Sequence, residues 1–189
     1  MHGPWWRQRL TRCPQAARGD VCRRHLRMTP ATLAAALPAL GSVLYMPLVV
    51  CGQDLPQRPC KVLVAAPELA PLLRVDWLLA ASEIAPDGPR EWIDGIDREG
   101  HPCLRLHLLP DTDYLGWDRL LALGKPISVP PPPHLRALDA HPLRFHRQRL
   151  YGLDLLRGET AARLSPLGRQ LLGRIVCAQA GQGDREQGS

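Results

Sequence analysis

The sequence predicts an α+β domain, an antiparallel β-sheet packed by helices on one side. Three observations carry that expectation. Residues 91–122 read without a break as strand, tight turn, strand, acidic cap and helix. Two hydroxyl-proline pairs, Thr29-Pro30 and Ser165-Pro166, stand directly ahead of helix-periodic leucines, and a hydroxyl N-cap with proline in the first turn is how many helices begin. Short runs of branched apolar residues at 42–50 and 61–65, bounded by proline and glycine, have the composition of strands.

Along the chain, Thr29 caps a short helix in which Leu33, Leu37 and Leu40 share a face, ending near Pro38 to Gly41. Ser42 to Val50 is a strand. Pro47 cannot donate to a ladder and assigns that strand to a sheet edge or a bulge. Residues 52–59 form a turn-rich loop and 61–65 a second short strand. Leu72 to Ile84 fits the helical and the strand period equally well. Pro86-Asp87-Gly88-Pro89 closes it as a turn.

In the hairpin that follows, Arg98-Glu99-Gly100 supplies the connection. Leu104, Leu106 and Leu108 then alternate with Cys103, Arg105, His107 and Leu109, one face aliphatic and one polar. Asp111 or Thr112 caps a helix striped with Tyr114, Trp117, Leu120 and Leu121. Pro126 and Pro130 to Pro133 mark an extended linker over 126–133. Two further helices are expected, over about 134–157 and 165–179, the second burying Leu167, Leu171, Leu172, Ile175 and Val176.

Composition bounds the function. The chain has 189 residues, 45% of them hydrophobic, enough for one domain with a sizeable core. Its net charge of +6 resides in residues 1–27, where seven arginines face Asp20 alone. The remainder is neutral, which excludes a bulk-charge argument for binding nucleic acid or a membrane through the domain. Residues 1–27 lack apolar periodicity and a secretory signal; they read as a disordered basic tail or as an over-extended gene start ahead of Met28. A single domain over 28–180 and a frayed tail over 181–189 follow. Cys51, Cys60, Cys103 and Cys177 are scattered, with neither zinc spacing nor a disulfide framework, the usage of a reduced cytoplasmic protein. No apolar run is long enough to span a membrane.

The sequence contains no glycine-rich phosphate loop, no His-Glu-x-x-His and no Gly-x-Ser-x-Gly. Asp94, Asp97, Asp111 and Asp113 fall at strand ends and a cap, where carboxylates shape turns. The denser constellation is His134, His141 and His146 interleaved with Arg136, Arg144 and Arg147. In a helix over this stretch His134 and His141 would share a face. A neutral imidazole ligates iron, and guanidiniums pair with carboxylates such as haem propionates. Zinc suits the cluster less, because cysteine and acidic ligands are missing from it. By charge pattern alone it is a basic helix surface.

Trp92, Asp97-Arg98-Glu99-Gly100, Leu104 to Leu109, Asp111, Asp113 and Trp117-Asp118-Arg119-Leu120 occur in an order that resembles the bacterial haem-utilisation proteins of the HemS/ChuX type. Leu37-Pro38, Gly41 and Val43 are similar to that family's entry into its first strand, and Asp139-Ala140-His141 to its Asp-x-His element. The likeness covers about 110 residues, 33–145, and one copy of a unit that larger members duplicate. The family's paired phenylalanines are replaced here by the Ile93 to Ile96 stretch, and Pro142 follows His141.

The resemblance implies a HemS/ChuX-like fold and a cytoplasmic haem-binding or haem-handling protein, a carrier rather than a catalyst. Haem is its expected cofactor and partner, with His141 as the iron ligand and His146 or His134 as substitutes. Arg136, Arg144 and Arg147 would be the propionate contacts. A homodimer formed through the exposed edge at Tyr45 to Val50 is also expected. The alternatives are a cofactor-free interaction or regulatory protein on the same fold and, ranked last, nucleic-acid binding through the arginine tail.

Overall fold

In the computed structural model, the described residues are 21–48, 61–85, 88–128 and 139–186, with side chains placed up to 178. Nine strands make one sheet: β1 (Cys22–Arg27), β2 (Gly41–Pro47), β3 (Val62–Val64), β4 (Trp77–Ala85), β5 (Gly88–Ile96), β6 (Pro102–Thr112), β7 (Lys125–Pro126), β8 (His141–Leu150) and β9 (Leu153–Thr160). Their spatial order is β3-β9-β8-β2-β6-β5-β4-β1-β7. Three α-helices complete the fold, α1 (Pro30–Ala36), α2 (Tyr114–Leu123) and α3 (Pro166–Glu186), with 3-10 turns over Leu37–Leu40 and Pro67–Arg74.

The α+β class stands, with a sheet that is mixed rather than wholly antiparallel. β3 runs parallel to β9, pairing Val62 with Asp154. The larger core lies on one face, where Val43, Tyr45, Leu78, Ile93, Leu104, Leu106 and Phe145 pack under α1, α2 and the 3-10 turns. Helices are not confined to that side. Leu171, Leu172 and Ile175 of α3 pack on Leu44, Met46 and Leu109 of the opposite face, while Leu167 and Val176 stay exposed. The heptad-like run of leucines in α3 was too permissive a guide, because only the turn that reaches the sheet loses water.

Local signals operate as their chemistry dictates. Thr29 accepts the Thr32 amide at 3.2 Å and Pro30 occupies the first turn of α1. Asp113, rather than Asp111 or Thr112, caps α2, accepting the Gly116 amide at 2.8 Å. The two other candidates are used elsewhere. Thr112 Oγ1 donates to the Ser42 carbonyl at 2.6 Å and accepts the Leu109 amide at 2.8 Å. Asp111 accepts the amide and hydroxyl of Ser165, at 2.7 and 3.0 Å, and so fastens the start of α3 to the end of β6.

Three expectations are corrected. The stretch 134–157 is not helical where it is described: residues 141–160 form the β8–β9 hairpin. Threonine, phenylalanine and alternating leucines outweigh a spacing of histidines that fitted a helix. Next, β2 is not an edge strand. β6 and β8 occupy its two sides, and Pro47 is tolerated at the strand's last position. Pairing of two chains through Tyr45 to Val50 thereby loses its edge. Finally, residues 22–27 belong to the sheet, β1 pairing with β4 from Cys22 opposite Ser82 to Arg27 opposite Trp77. Cys22 is disulfide-bonded, whereas Cys103 and Cys177 are free thiols. Residues 1–20 and most of the proline linker lie outside the described residues.

Gly116 shows how closely α2 is seated. A Cβ there would stand 2.2 Å from the Ala39 carbonyl oxygen, a backbone atom with no rotamer to yield. Gly116→Ala is expected to lower unfolding stability by about 2 kcal/mol, the range of overpacked cores. Urea denaturation checks it; a midpoint equal to wild type would contradict the close approach.

Candidate functional site

β8 pairs with β2 only from His141 opposite Tyr45 to Arg144 opposite Ser42. Beyond Arg144 the strand leaves the sheet's centre and continues with β9 alone. This departure opens a groove of about 890 Å³ between β8, the α1–β2 connection and the end of β6. Its volume lies in the range of small-molecule sites, roughly 300–1,000 Å³. Ala35, Pro38 and Ala39 form one wall; Arg144, Phe145, His146 and Arg147 form the other. Gly41 permits the approach with φ +69°, and any Cβ there would meet the Asp111 carbonyl at 3.3 Å.

Three of the six sequence-derived site residues line this groove; Arg144 and His146 share one face of β8, and Arg147, at odd spacing from His146, lies on the other. His146 is half exposed and its Nε2 lies 3.4 Å from Glu159 Oε2 across the hairpin. A carboxylate beside one ring nitrogen favours an orientation that leaves the other nitrogen available as a ligand. Arg144 Nε donates to Ser42 Oγ at 3.1 Å, which holds its guanidinium over the start of β2. Arg147 Nε reaches Asp154 Oδ1 at 3.8 Å. Asp111 and Asp113 also line the groove, but their carboxylates are taken up by the Ser165 and Gly116 caps.

His141 does not line the groove. It begins β8, partly buried, opposite Tyr45. Five residues along a strand separate it from His146 by roughly 16 Å, and odd spacing puts the two on opposite faces, so they cannot share one metal ion. His134 and Arg136 lie outside the described residues. Among the described residues no three His, Cys, Asp or Glu side chains come together to hold a metal ion.

A second polar assembly, which the sequence showed only as the polar side of an alternating strand, lies on β5 and β6. Asp94 and Arg105 are cross-strand partners and form a two-pronged ion pair, Nε to Oδ1 at 2.5 Å and Nη2 to Oδ2 at 2.9 Å. Burial pushes the Asp94 carboxyl upward and the guanidinium opposes that shift. Arg105 also stacks over Trp92, 5.5 Å from the ring centroid. Trp92 in turn faces His107 at 6.1 Å. His107 is 6% exposed and neither ring nitrogen has a hydrogen-bond partner. Burial, then the nearby Arg105 and Arg90 charges, push its pKa down from 6.5 to about 3.

That imidazole is held neutral, so its protonation opposes folding. Between 6.5 and about 3 the folded chain binds fewer protons at His107 than the unfolded chain. The contribution is complete above 6.5 and is lost as pH falls toward 3. His107→Phe is expected to flatten the acid limb by up to about 1.4 kcal/mol per pH unit in that window. Urea midpoints of both proteins at neutral and acid pH measure it; parallel acid limbs would contradict the assignment.

No protein-family model matches this sequence, and no curated protein is a significant match. Among solved structures, the chain is similar to the Escherichia coli O157:H7 haem-degrading enzyme ChuS at 15% identity and TM-score 0.38, over 57% of this chain and 36% of that one. A second ChuS structure, described as an E. coli haem oxygenase, gives 15% identity and TM-score 0.38 over 60% and 39% of the two chains. Holo-PhuS, a haem-binding protein from Pseudomonas aeruginosa, gives 19% and 0.39 over 62% and 39%. The chain thus spans less than two fifths of each of these proteins. Likenesses this remote assign it neither a family nor a function.

Proposed function

We propose that the chain is a haem-binding, haem-handling protein that takes its ligand in the β8 groove. The observation that carries this reading is that His146 and Arg144 share one face of β8 and line one groove of about 890 Å³. The residues fit the group. The His146 imidazole, 3.4 Å from Glu159, would hold the iron, the Arg144 guanidinium would pair with a propionate, and Ala35, Pro38 and Ala39 offer an apolar wall. Haem iron bound there would supply redox and ligand-binding chemistry. The chain's own share is to orient the imidazole and neutralise the carboxylates.

His146 is the ligand this geometry favours. His141, the ligand implied by the Asp139-Ala140-His141 resemblance, is the competing assignment and serves as the internal control. Storage or delivery in the cytoplasm, without turnover, is the role we propose. No helix among the described residues is long and apolar enough to cross a membrane.

Haemin titration followed at the Soret band tests the reading. His146→Ala is expected to weaken binding by at least about tenfold, the 10–100-fold range of perturbed metal sites, with His141→Ala close to wild type. The reverse pattern would move the ligand to His141. Absence of any Soret shift in the wild type would sink haem binding and favour the cofactor-free interaction protein. Arg144→Gln is expected to weaken binding several-fold while leaving the ligated spectrum unchanged.

A further inference from the structure

The β8–β9 hairpin ends in a turn that the fold does not explain. Tyr151 and Gly152 are its two central residues, with φ of 48° and 82°, the geometry of a primed turn in which Asn, Asp or Gly is normally preferred. A tyrosine in this left-handed region carries a steric cost that side-chain packing usually offsets. Here packing offsets nothing, because Tyr151 is 98% exposed. It is the only non-glycine residue with positive φ among the described residues.

The residues on either side make the tip amphipathic. Leu150 and Leu153 are direct cross-strand partners and both are exposed. Together with Tyr151 they form an apolar end on a hairpin that has left the sheet's centre after Arg144. Arg149 and Arg157 stand behind it, and neither has a carboxylate within ion-pair distance among the described residues. The nearby carboxylates are engaged elsewhere, Asp154 with Arg147 and Glu159 with His146.

We propose that this tip docks the protein on an anionic lipid surface. Tyr151, Leu150 and Leu153 enter the interfacial layer, Arg149 lies at the level of the lipid phosphates, and Arg157, three register positions further along the hairpin and on its other face, adds to the attraction from behind. Tyrosine's amphipathic ring suits that depth. Guanidiniums pair with phosphate oxygens, and each basic residue near such a surface adds to the attraction. A convex apolar tip meets a deformable lipid interface without needing a matching pocket. That shape favours lipid over an acidic protein as the occupant. The inference stands apart from haem binding and does not depend on it.

Co-sedimentation of the full chain with phosphatidylglycerol-containing and with pure phosphatidylcholine vesicles tests it. Tyr151→Asn is the informative variant, since asparagine tolerates the turn and the thermal midpoint should hold or rise. The wild type is expected to bind the anionic vesicles, Tyr151→Asn at least about tenfold more weakly, and Arg149→Gln with Arg157→Gln to lose the preference for anionic lipid. The arginines of residues 1–27 are common to all these proteins, so binding through them alone would leave Tyr151→Asn equal to wild type and overturn the proposal. Equal binding to both vesicle types, no vesicle binding, or capture of an acidic protein in its place would overturn it as well.

Discussion

The start of β2 is the point on which the remaining architecture depends. At Gly41 and Ser42 the chain leaves the helical layer and becomes an interior strand of the sheet, beside the central strand β6. Four hydrogen bonds converge there. The Asp113 amide donates to the Leu40 carbonyl at 2.7 Å, Thr112 Oγ1 donates to the Ser42 carbonyl, and Thr112 accepts the Leu109 amide. Arg144 Nε completes the set on Ser42 Oγ. Thr112 is 4% exposed and Ser42 1%, and buried polar groups left unpaired would each cost about 1–3 kcal/mol. The same few residues seat α2 through Asp113 and α3 through Asp111. They also set where β8 departs, and hence where the groove opens.

Much of this was legible in the sequence because the local chemistry has few solutions. Thr29-Pro30 begins a helix because the hydroxyl and the fixed φ leave little else to do. The Asp97 to Gly100 turn closes the β5–β6 hairpin, with Asp97 Oδ1 accepting the Glu99 and His101 amides at 3.0 and 2.7 Å. What was not legible depended on partners distant in sequence. Pro47 points to an edge only if its neighbour needs the missing N–H, and at the last position of β2 none does. The stretch after the proline linker read as a helix in which His134 and His141 share a face. It folds as a hairpin because Leu143, Phe145 and Leu156 need to reach the core, and period-2 placement of these apolar residues brings them to one face.

The candidate site residues were read as lying on a helix, and the described ones lie on a strand. A helix would have grouped His141 with His134. A strand instead puts Arg144 and His146 on one face and sends His141 to the other. The groove's remaining wall, Ala35 to Gly41 and Pro110 to Asp113, comes from segments with no chemical signature, and no spacing of small residues announces that they will line a cavity. The Asp94–Arg105–Trp92–His107 array had a fainter signal, a polar face on a strand flanked by tryptophan. Only burial distinguishes it from an ordinary solvated face.

The central claim is that the β2 junction presents an oriented imidazole of β8, that of His146, to a ligand in the groove. Electron paramagnetic resonance of the ferric haem complex of His146→Gly, recorded with and without added imidazole, tests it most directly. The account predicts that the imidazole-ligated signal disappears in the variant and returns when free imidazole fills the place of the missing ring. A signal unchanged by the substitution, or one that imidazole does not restore while the protein remains folded, would contradict it.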